Sequence, residues 1–250
     1  MIYMANLDSA KYYDSVGETG FYPRELIRFE QTFPHILKEG TLLDIGCGEG
    51  DWLKYLSEKT NLKISGMDVS QVRLDIAKKR LQNEKIKLVV GDIKNLKYDD
   101  NSIDQITAME VLEHIPSWQD GFKEMVRVAS KRVVVTVPYE EKLSYQICPK
   151  CGTRANLYGH INSLGEKNFM TIGVEGKITF AKLLPAYLRR IKASLSGRSG
   201  ESISRGERDA VVCPKCYTKI PFRKHFERGM QLMKKVLTGK PEYLLVQVDK

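Results

Sequence analysis

A glycine-rich turn is the first feature of the chain whose residues could bind a ligand. The run Thr41-Leu-Leu-Asp-Ile-Gly-Cys-Gly-Glu-Gly50 joins an apolar strand to a turn with glycine at every second position, and a helical pattern follows. Only glycine lets the backbone approach a polar ligand so closely that its N–H groups and a helix N-terminus contact it. The spacing is G-x-G-x-G, whereas dinucleotide-binding turns have G-x-G-x-x-G. A plain tight turn is the alternative interpretation.

Acidic residues follow the next three apolar strands. Asp68 ends the segment Lys63–Asp68, where a carboxylate can accept hydrogen bonds from both hydroxyls of a ribose. Asp92 ends a third strand, and Glu110 begins the run Glu-Val-Leu-Glu-His-Ile after a fourth. Each acid alone could equally cap a helix or lie in a solvated turn. Their regular order favours a single ligand site at the carboxyl edge of a sheet.

These motifs together resemble the class I S-adenosylmethionine (SAM)-dependent methyltransferases, over residues 41–138. The resemblance implies SAM as cofactor. It also implies an α/β fold, a doubly wound, mostly parallel, seven-stranded Rossmann-like sheet, and it places Asp92 beside the adenine amino group. Cys47 is expected to be a small filler side chain within the turn. The implied donor-binding residues are Asp44, Gly46, Cys47, Gly48, Gly50, Asp68, Val69, Asp92, Ile93 and Glu110.

Methyl transfer from a sulfonium mainly requires an oriented acceptor and the exclusion of water, because the donor is already activated. An alcohol acceptor must also lose a proton, so a base within hydrogen-bond reach is needed. The candidate catalytic residues are His114, His160 and Glu113. A packing or capping role is the alternative for His114, and a structural or zinc-site role is the alternative for His160.

Four of the five cysteines form two near-identical pairs, Cys148-Pro-Lys-Cys151 and Cys213-Pro-Lys-Cys216. Two intervening residues let both thiolates of a pair reach one ion, and two pairs supply the tetrahedral sulfur set of a structural zinc site. We therefore predict one structural zinc held by Cys148, Cys151, Cys213 and Cys216. The 61 residues between the pairs exceed ordinary zinc-ribbon spacing, and a redox-active C-x-x-C is the competing interpretation.

Positive charge is concentrated in the C-terminal part of the 250-residue chain. The formal net charge is +9, and the segment from Lys182 to Lys240 alone has 15 Lys and Arg against 4 acids, which leaves the remainder at −2. A solvated surface is one interpretation. Binding to an anionic partner, either a phosphate-bearing substrate or a membrane surface, is the other.

A helical pattern coincides with the start of this basic segment. Between Ile178 and Ile191, apolar residues recur at helical spacing beside four cationic residues, Lys182, Arg189, Arg190 and Lys192. Such a helix can lie at a membrane interface, and the same spacing suits packing on the core or a dimer contact. The expected location is cytoplasmic, since no apolar run approaches the roughly 18 residues of a membrane span. Peripheral contact with the inner membrane surface is the further expectation.

Four regions are predicted along the chain. Residues 1–40 form an N-terminal helical lid, and residues 41–140 form the SAM-binding core. Residues 141–239 form an inserted zinc-knuckle and basic substrate region, which includes a sheet strand near residues 170–180. Residues 240–250 form the last core strand, antiparallel to its neighbours.

The C-terminal motifs narrow the resemblance. A fifth strand ending in Val-Pro, two Cys-Pro-x-Cys pairs, Gly159-His-Ile-Asn-Ser163 and a closing strand look like methyltransferases associated with bacterial surface-polysaccharide and lipid-linked glycan synthesis. The expected reaction is O-methylation of a glycan, a lipid-linked glycan or another small-molecule acceptor.

Two other functions stay open. Basic charge and zinc knuckles are common in nucleic-acid-binding proteins, so an RNA methyltransferase is the first alternative. The segment after the fourth strand lacks the Asn/Asp-Pro-Pro-aromatic tetrad of base-amino methyltransferases, which makes a nucleic-acid partner less expected. A SAM-binding scaffold without catalysis is the second alternative.

Overall fold

Strands and helices alternate through the first half of the chain, as the apolar patterns predict. The computed structural model describes residues 9–16, 23–82, 85–156, 158–183, 210–221 and 241–250. The helices are α1 (Ser9–Val16), α2 (Pro23–Thr32), α3 (Asp51–Ser57), α4 (Gln71–Leu81), α5 (Trp118–Val128) and α6 (Glu166–Met170). The strands are β1 (Thr41–Ile45), β2 (Lys63–Asp68), β3 (Lys87–Val90), β4 (Ile103–Met109), β5 (Ala129–Pro138), β6 (Tyr145–Ile147), β7 (Arg154–Asn156), β8 (Lys177–Leu183), β9 (Ala210–Val212), β10 (Lys219–Pro221) and β11 (Tyr243–Asp249).

Seven of the described strands form one sheet in the order β3-β2-β1-β4-β5-β11-β8. The neighbours from β3 to β5 pair in parallel, and β11 is antiparallel to both β5 and β8. The strand order reverses between β1 and β4. Ligands of doubly wound sheets bind in the crevice at the carboxyl ends of such a strand pair. The predicted mostly parallel, Rossmann-like sheet is confirmed.

Both faces of the sheet are covered, as β5 illustrates. Val133, Val134 and Val135 are consecutive and fully buried, the continuous apolar run typical of a strand with helices on both sides. Successive side chains point to opposite faces. Val133 and Val135 therefore pack in one cluster with Phe122 of α5, and Val134 joins the opposite cluster with Leu53 of α3. Two cores of this kind hold the carboxyl edge of the sheet in place.

The strand predicted near residues 170–180 lies slightly later, at β8. It pairs residue by residue with β11, from Lys177 opposite Asp249 to Leu183 opposite Tyr243. In the helical pattern between Ile178 and Ile191 the apolar positions begin at Leu183, and the structure describes only residues 178–183 of that stretch. Lys182 and Leu183 belong to β8, because pairing with β11 satisfies their backbone. Residues 184–191, with Arg189 and Arg190, lie outside the described residues, as does most of the basic segment.

The two cysteine pairs lie in matching antiparallel hairpins. The first pair turns between β6 and β7, and the second pair turns between β9 and β10. In the first, the Cys148 N–H donates to Thr153 O at 2.8 Å; in the second, the Cys213 N–H donates to Thr218 O at 3.0 Å. The residue after each pair has a left-handed backbone, and it is Gly152 in one hairpin (φ 70°) and Tyr217 in the other (φ 55°).

The N-terminal helices contact the core near the carboxyl edge. Phe29 of α2 packs on Trp52 of α3, with ring centroids 4.8 Å apart. The Ser70 hydroxyl, just after β2, donates to the Asp14 carboxylate of α1 at 2.5 Å. Among the described residues, no helix is both long and apolar enough to cross a membrane.

Candidate functional site

The glycine turn connects β1 to α3 with a backbone that requires glycine. Gly46, Gly48 and Gly50 have φ angles of 68°, 53° and 85°. A Cβ on Gly46 would lie 2.5 Å from a methyl of Val111, so no larger residue fits there. The N–H groups of Gly46 and Cys47 both donate to the carbonyl of Met67, at 2.7 and 3.0 Å. These two hydrogen bonds fix the turn to the end of β2, at the carboxyl edge of the sheet.

Two buried acids flank this turn. Asp68 is 7% exposed, and its carboxylate accepts hydrogen bonds from the N–H groups of Gly48 and Ser70, each at 2.9 Å. Asp44 is 2% exposed and accepts a hydrogen bond from the Thr107 hydroxyl at 2.6 Å. Burial raises the pKa of Asp44 to about 7. Both acids lie at the carboxyl ends of their strands next to the glycine turn, and their role in donor binding stays a prediction.

The remaining predicted donor-binding residues differ in environment. Asp92 is half-exposed and lies in a local turn, where its carboxylate accepts from the Lys94 N–H at 2.9 Å and its other oxygen lies 3.5 Å from the Lys94 ammonium. Glu110 follows β4 with a left-handed backbone (φ 62°). Ile93 is buried, Val69 is half-buried and Cys47 is buried. The structure therefore groups Asp44 and Asp68 with the turn, and it gives Asp92 its own local partners.

The three candidate catalytic side chains come together beside this crevice. Glu113 and His114 lie in a 3-10 turn just after β4, and His160 comes from the segment after β7. Glu113 Oε1 lies 3.9 Å from Nε2 of His114 and 3.9 Å from Nε2 of His160. The two imidazole rings meet edge to face, with centroids 4.7 Å apart. We call these three residues the Glu-His cluster.

Glu113 is the most unusual member of the Glu-His cluster. It is 1% exposed, and neither carboxylate oxygen has a hydrogen-bond partner among the described residues. Burial, reinforced by the nearby carboxylate of Glu110, raises the pKa of Glu113 well above its ordinary value. A buried carboxyl in this state is costly when ionised, unless a proton or a cation compensates it.

Backbone hydrogen bonds lock His160 onto the turn that holds Glu113. The N–H groups of Ile161 and Asn162 donate to the Glu113 carbonyl at 2.8 and 3.0 Å. The Asn162 side chain donates to the carbonyl of Ile115 at 2.7 Å. These contacts explain why the Gly-His-Ile-Asn segment, distant in sequence, is held against the Glu-His turn.

Each histidine has a partner at Nδ1. His114 Nδ1 lies 3.2 Å from the carbonyl of Gly159, and since a carbonyl only accepts, this nitrogen carries the proton. His160 Nδ1 pairs with the carboxylate of Glu141. With both Nδ1 atoms donating, a neutral imidazole directs the lone pair of its Nε2 toward Glu113.

The four predicted metal ligands also come together, at the contact between the two hairpins. Cys148 Sγ lies 3.6 Å from Cys216 Sγ, Cys151 Sγ lies 3.5 Å from Cys213 Sγ, and all four sulfurs are within 4.8 Å of one another. Zinc–sulfur bonds of about 2.3 Å in a tetrahedron place sulfurs about 3.8 Å apart. The four-cysteine cluster therefore has the dimensions of a tetrahedral ligand set.

Several residues near the site had no motif in the sequence. Arg28 of α2 is 7% exposed and lies 3.5 Å from the Glu110 carboxylate. Tyr13 of α1 contacts the His114 ring at 5.9 Å and lies under the Arg73 guanidinium at 5.1 Å. Glu141 pairs with His160. For Tyr13, the Lys11-Tyr-Tyr-Asp14 run was the sequence feature that could have indicated a role of α1 at the site.

Comparisons with known proteins agree with this architecture. A family model described as a methyltransferase domain matches residues 43–136. The demethylmenaquinone methyltransferase of Staphylococcus epidermidis is 38% identical over 97 residues, which are 38% of this chain and 40% of that relative. The methyltransferase GfsG of Streptomyces halstedii is 34% identical over 91 residues, which are 35% of this chain and 33% of that relative.

A structural neighbour covers more of the chain. The geranyl diphosphate C-methyltransferase of Streptomyces coelicolor A3(2), solved with S-adenosyl-L-homocysteine, superposes with a TM-score of 0.60 at 15% identity, covering 90% of this chain and 80% of that one. At this identity the likeness concerns the fold. The sequence relatives are matched over two fifths of their length or less. The residues matched by the family model, 43–136, include the glycines of the turn and the Glu113–His114 pair.

Proposed function

We propose that this chain is a class I SAM-dependent methyltransferase and that it transfers the methyl group of SAM to an oxygen of a small-molecule or glycan acceptor. The methyltransferase-domain match over residues 43–136 and the Rossmann-like sheet support the proposal. The observation that carries the choice of oxygen is the Glu-His cluster. It contains proton-accepting groups, and its Glu113 is buried. It follows β4 directly after Val111, whose side chain lies against Gly46 of the glycine turn. An alcohol acceptor needs such groups at the point where its hydroxyl loses a proton.

Donor binding is assigned to the glycine turn and its two buried acids. Asp68 accepts two backbone hydrogen bonds, which fix its carboxylate beside the glycine turn, and it is assigned to the ribose hydroxyls. The ionised form of Asp44 suits the ammonium group of the SAM methionine tail. Asp92, although half-exposed, is at the carboxyl end of β3 and is assigned to the adenine end. These assignments follow the order of the strands and the charges that SAM carries.

Acceptor binding is assigned to the crevice between α1 and the Glu-His cluster. Tyr13 and His114 contact each other there, so α1 covers one side of the cluster. Excluding water around a sulfonium donor protects it and strengthens the electrostatic contacts of the site. The S–CH₃ bond breaks as the O–CH₃ bond forms, and the electron pair stays on sulfur.

A change at Asp68 tests the donor pocket. Asp68→Ala removes a charge-assisted contact worth about 1.5–3 kcal/mol, and SAM affinity measured by calorimetry should fall roughly ten- to hundredfold. Asp99→Ala is the matched control, because Asp99 is an exposed acid in a distant turn. Equal affinities of wild type and Asp68→Ala for SAM would refute the assignment.

Product formation separates this function from its two alternatives. The purified protein is incubated with SAM and either glycan, lipid-linked glycan or RNA acceptors, and S-adenosylhomocysteine is measured. A methylated glycan or small molecule supports the proposal. A methylated RNA, with binding that weakens steeply as salt rises, would favour an RNA methyltransferase. SAM binding without any product across acceptors would favour a scaffold.

We also propose that the four-cysteine cluster holds a structural zinc ion. The support is the sulfur geometry together with burial: Cys148 and Cys213 are 1% and 0% exposed. Four thiolates close the coordination shell and leave no position for substrate. The ion would join the two hairpins, which have little apolar core of their own, so its role is to hold this region in place.

The basic segment is assigned to the acceptor. Its net positive charge suits a phosphate-bearing acceptor or an anionic membrane surface that presents a lipid-linked glycan. Flotation with anionic liposomes at low salt tests the membrane part, with a variant in which Arg189, Arg190 and Lys192 are changed to Glu. Absence of the wild-type protein from the liposome fraction would contradict the membrane part.

A further inference from the structure

The geometry points to a second metal site: we propose that the Glu-His cluster binds a divalent cation that prefers oxygen and nitrogen ligands, such as Mn²⁺ or Mg²⁺. This inference rests on the proposed function only for its role in the reaction, since the site itself stands on the geometry. It is separate from the four-cysteine cluster in position and in ligand chemistry.

The donor atoms converge on one point. One carboxylate oxygen of Glu113 and one ring nitrogen each from His114 and His160 lie within 4.8 Å of one another. Ligands that bind one ion at about 2.0–2.2 Å are about 3–3.5 Å apart. The two separations of 3.9 Å between Glu113 and the histidines are thus within about 1 Å of those in a metal-bound set, and the two histidine nitrogens lie within 4.8 Å of each other.

The two histidine rings are already oriented as metal ligands would be. Nδ1 of each histidine donates to an acceptor, so each Nε2 offers its lone pair to the space beside Glu113. Metal-binding histidines have this arrangement, in which a carboxylate or carbonyl accepts the other ring N–H. Glu141 plays that part for His160, and the Gly159 carbonyl plays it for His114.

Glu113 supplies the independent evidence for a ligand. It is a carboxylate with 1% exposure and no hydrogen-bond partner for either oxygen within the part of the chain that the structure describes. Buried carboxylates are otherwise paired, hydrogen-bonded or bound to a metal. A divalent cation at the cluster would compensate the charge of Glu113.

Three protein ligands leave positions open on the ion. A divalent cation usually takes about six ligands of this hard type, so the acceptor oxygen and water can complete the shell. A hydroxyl bound to the ion loses its proton more readily. In the reaction the hydroxyl proton passes to a water molecule. The resulting alkoxide oxygen attacks the methyl carbon of SAM, and the sulfur of SAM leaves as the neutral thioether of S-adenosylhomocysteine. With the ion bound, the Glu-His cluster therefore promotes loss of the hydroxyl proton through the ion; without it, the side chains of the cluster accept the proton directly.

Manganese binding by the zinc-loaded full chain tests this site. The protein is treated briefly with EDTA and titrated with MnCl₂, and free Mn²⁺ is followed by its EPR signal. Wild type should bind one Mn²⁺ per chain. Glu113→Gln and His160→Ala should each weaken binding at least tenfold, and Glu140→Gln, which removes an exposed neighbouring charge, should leave it unchanged.

The outcomes are distinguishable from failure of the proposed function. No saturable Mn²⁺ binding by wild type up to 1 mM, or equal binding by Glu113→Gln, overturns the site. Should Glu113→Gln fail to fold, His160→Ala decides. SAM affinity is measured on the same samples: it should stay unchanged in Glu113→Gln. Mn²⁺ binding without any methylated product would keep the site and contradict only the proposed reaction.

Discussion

The four-cysteine cluster and the Glu-His cluster each bring together side chains from distant parts of the chain, but they differ in what they leave open. The first has four sulfurs in two matching hairpins, and its ligand set is complete. The second has one oxygen and two nitrogens, and its set is incomplete. Ligand number and softness thus separate a cluster suited to holding the fold from one suited to binding substrate.

The two clusters are also built by different means. In the four-cysteine cluster each ligand pair is formed within four residues, and only the contact between the two pairs is long-range. In the Glu-His cluster, His160 reaches Glu113 because Ile161 and Asn162 bond to the Glu113 carbonyl. Loss of one cysteine ligand should therefore disrupt the structure of the two hairpins. Loss of a ligand of the Glu-His cluster should weaken divalent-cation binding and leave the fold intact.

The largest effect is expected from Cys213→Ser. This change removes one of four thiolates, and because structural zinc is held with about 10–16 kcal/mol of apparent binding free energy, a partial set should retain little metal. Metal analysis should give less than about a tenth of the wild-type zinc. Cys47→Ala is the control, since the fifth cysteine lies in the glycine turn. A full zinc equivalent in Cys213→Ser would contradict the shared site.

Chelation should separate the two clusters kinetically. Cys148 and Cys213 are buried and the sulfur set is closed, whereas a Glu-His ion keeps open positions from which EDTA can remove it. In protein loaded with both metals, EDTA should release Mn²⁺ at least about a hundredfold faster than zinc. Release is followed by Mn²⁺ EPR and a zinc-sensitive dye. Equal release rates would show that the difference in closure has no consequence.

A smaller effect is expected at the partner of His160. Glu141→Gln keeps the size of the side chain but removes the carboxylate that orients the ring, a change that typically costs ten- to a hundredfold in metal affinity. Mn²⁺ affinity should fall about tenfold, and zinc content should stay at one per chain. An unaltered Mn²⁺ affinity would mean that His160 is held in place by its backbone contacts alone.

The smallest effect is expected on thermal stability. Here Glu113→Gln should stabilise the metal-free protein, whereas loss of a cysteine ligand should destabilise the fold. Metal-free wild type should lose stability as pH rises above the ordinary glutamate pKa toward the raised pKa of Glu113, because the unfolded chain releases that proton first. At pH 8, Glu113→Gln should therefore melt a few degrees higher than metal-free wild type, since about 1 kcal/mol corresponds to 2–4 °C for a domain of this size. Added Mn²⁺ should raise the melting temperature of wild type only. A lower melting temperature for Glu113→Gln in the metal-free state would show that its carboxyl stabilises the fold.

Local patterns were enough to predict the core of the fold. The alternation of apolar strands and helices, the glycine turn and the buried valine run of β5 all depend on neighbours in sequence, and the sheet follows them. Patterns that suit two structures were less informative. Lys182 and Leu183 fit the start of a helical pattern by spacing, yet they lie in β8, because β11 offers a complete set of backbone partners.

Residue types and spacing determined the glycine turn, the acids at the strand ends and the two cysteine pairs, because each of these is formed by residues close in the chain. The tertiary structure decided which of them share an environment. It buried Asp44 and Asp68 at the turn but left Asp92 half-exposed, and it brought four sulfurs to one point. It also placed Glu113, whose carboxylate has no hydrogen-bond partner among the described residues, 3.9 Å from two histidines. Burial and long-range hydrogen bonds set the charge and orientation of a side chain, and neither can be inferred from its neighbours in sequence.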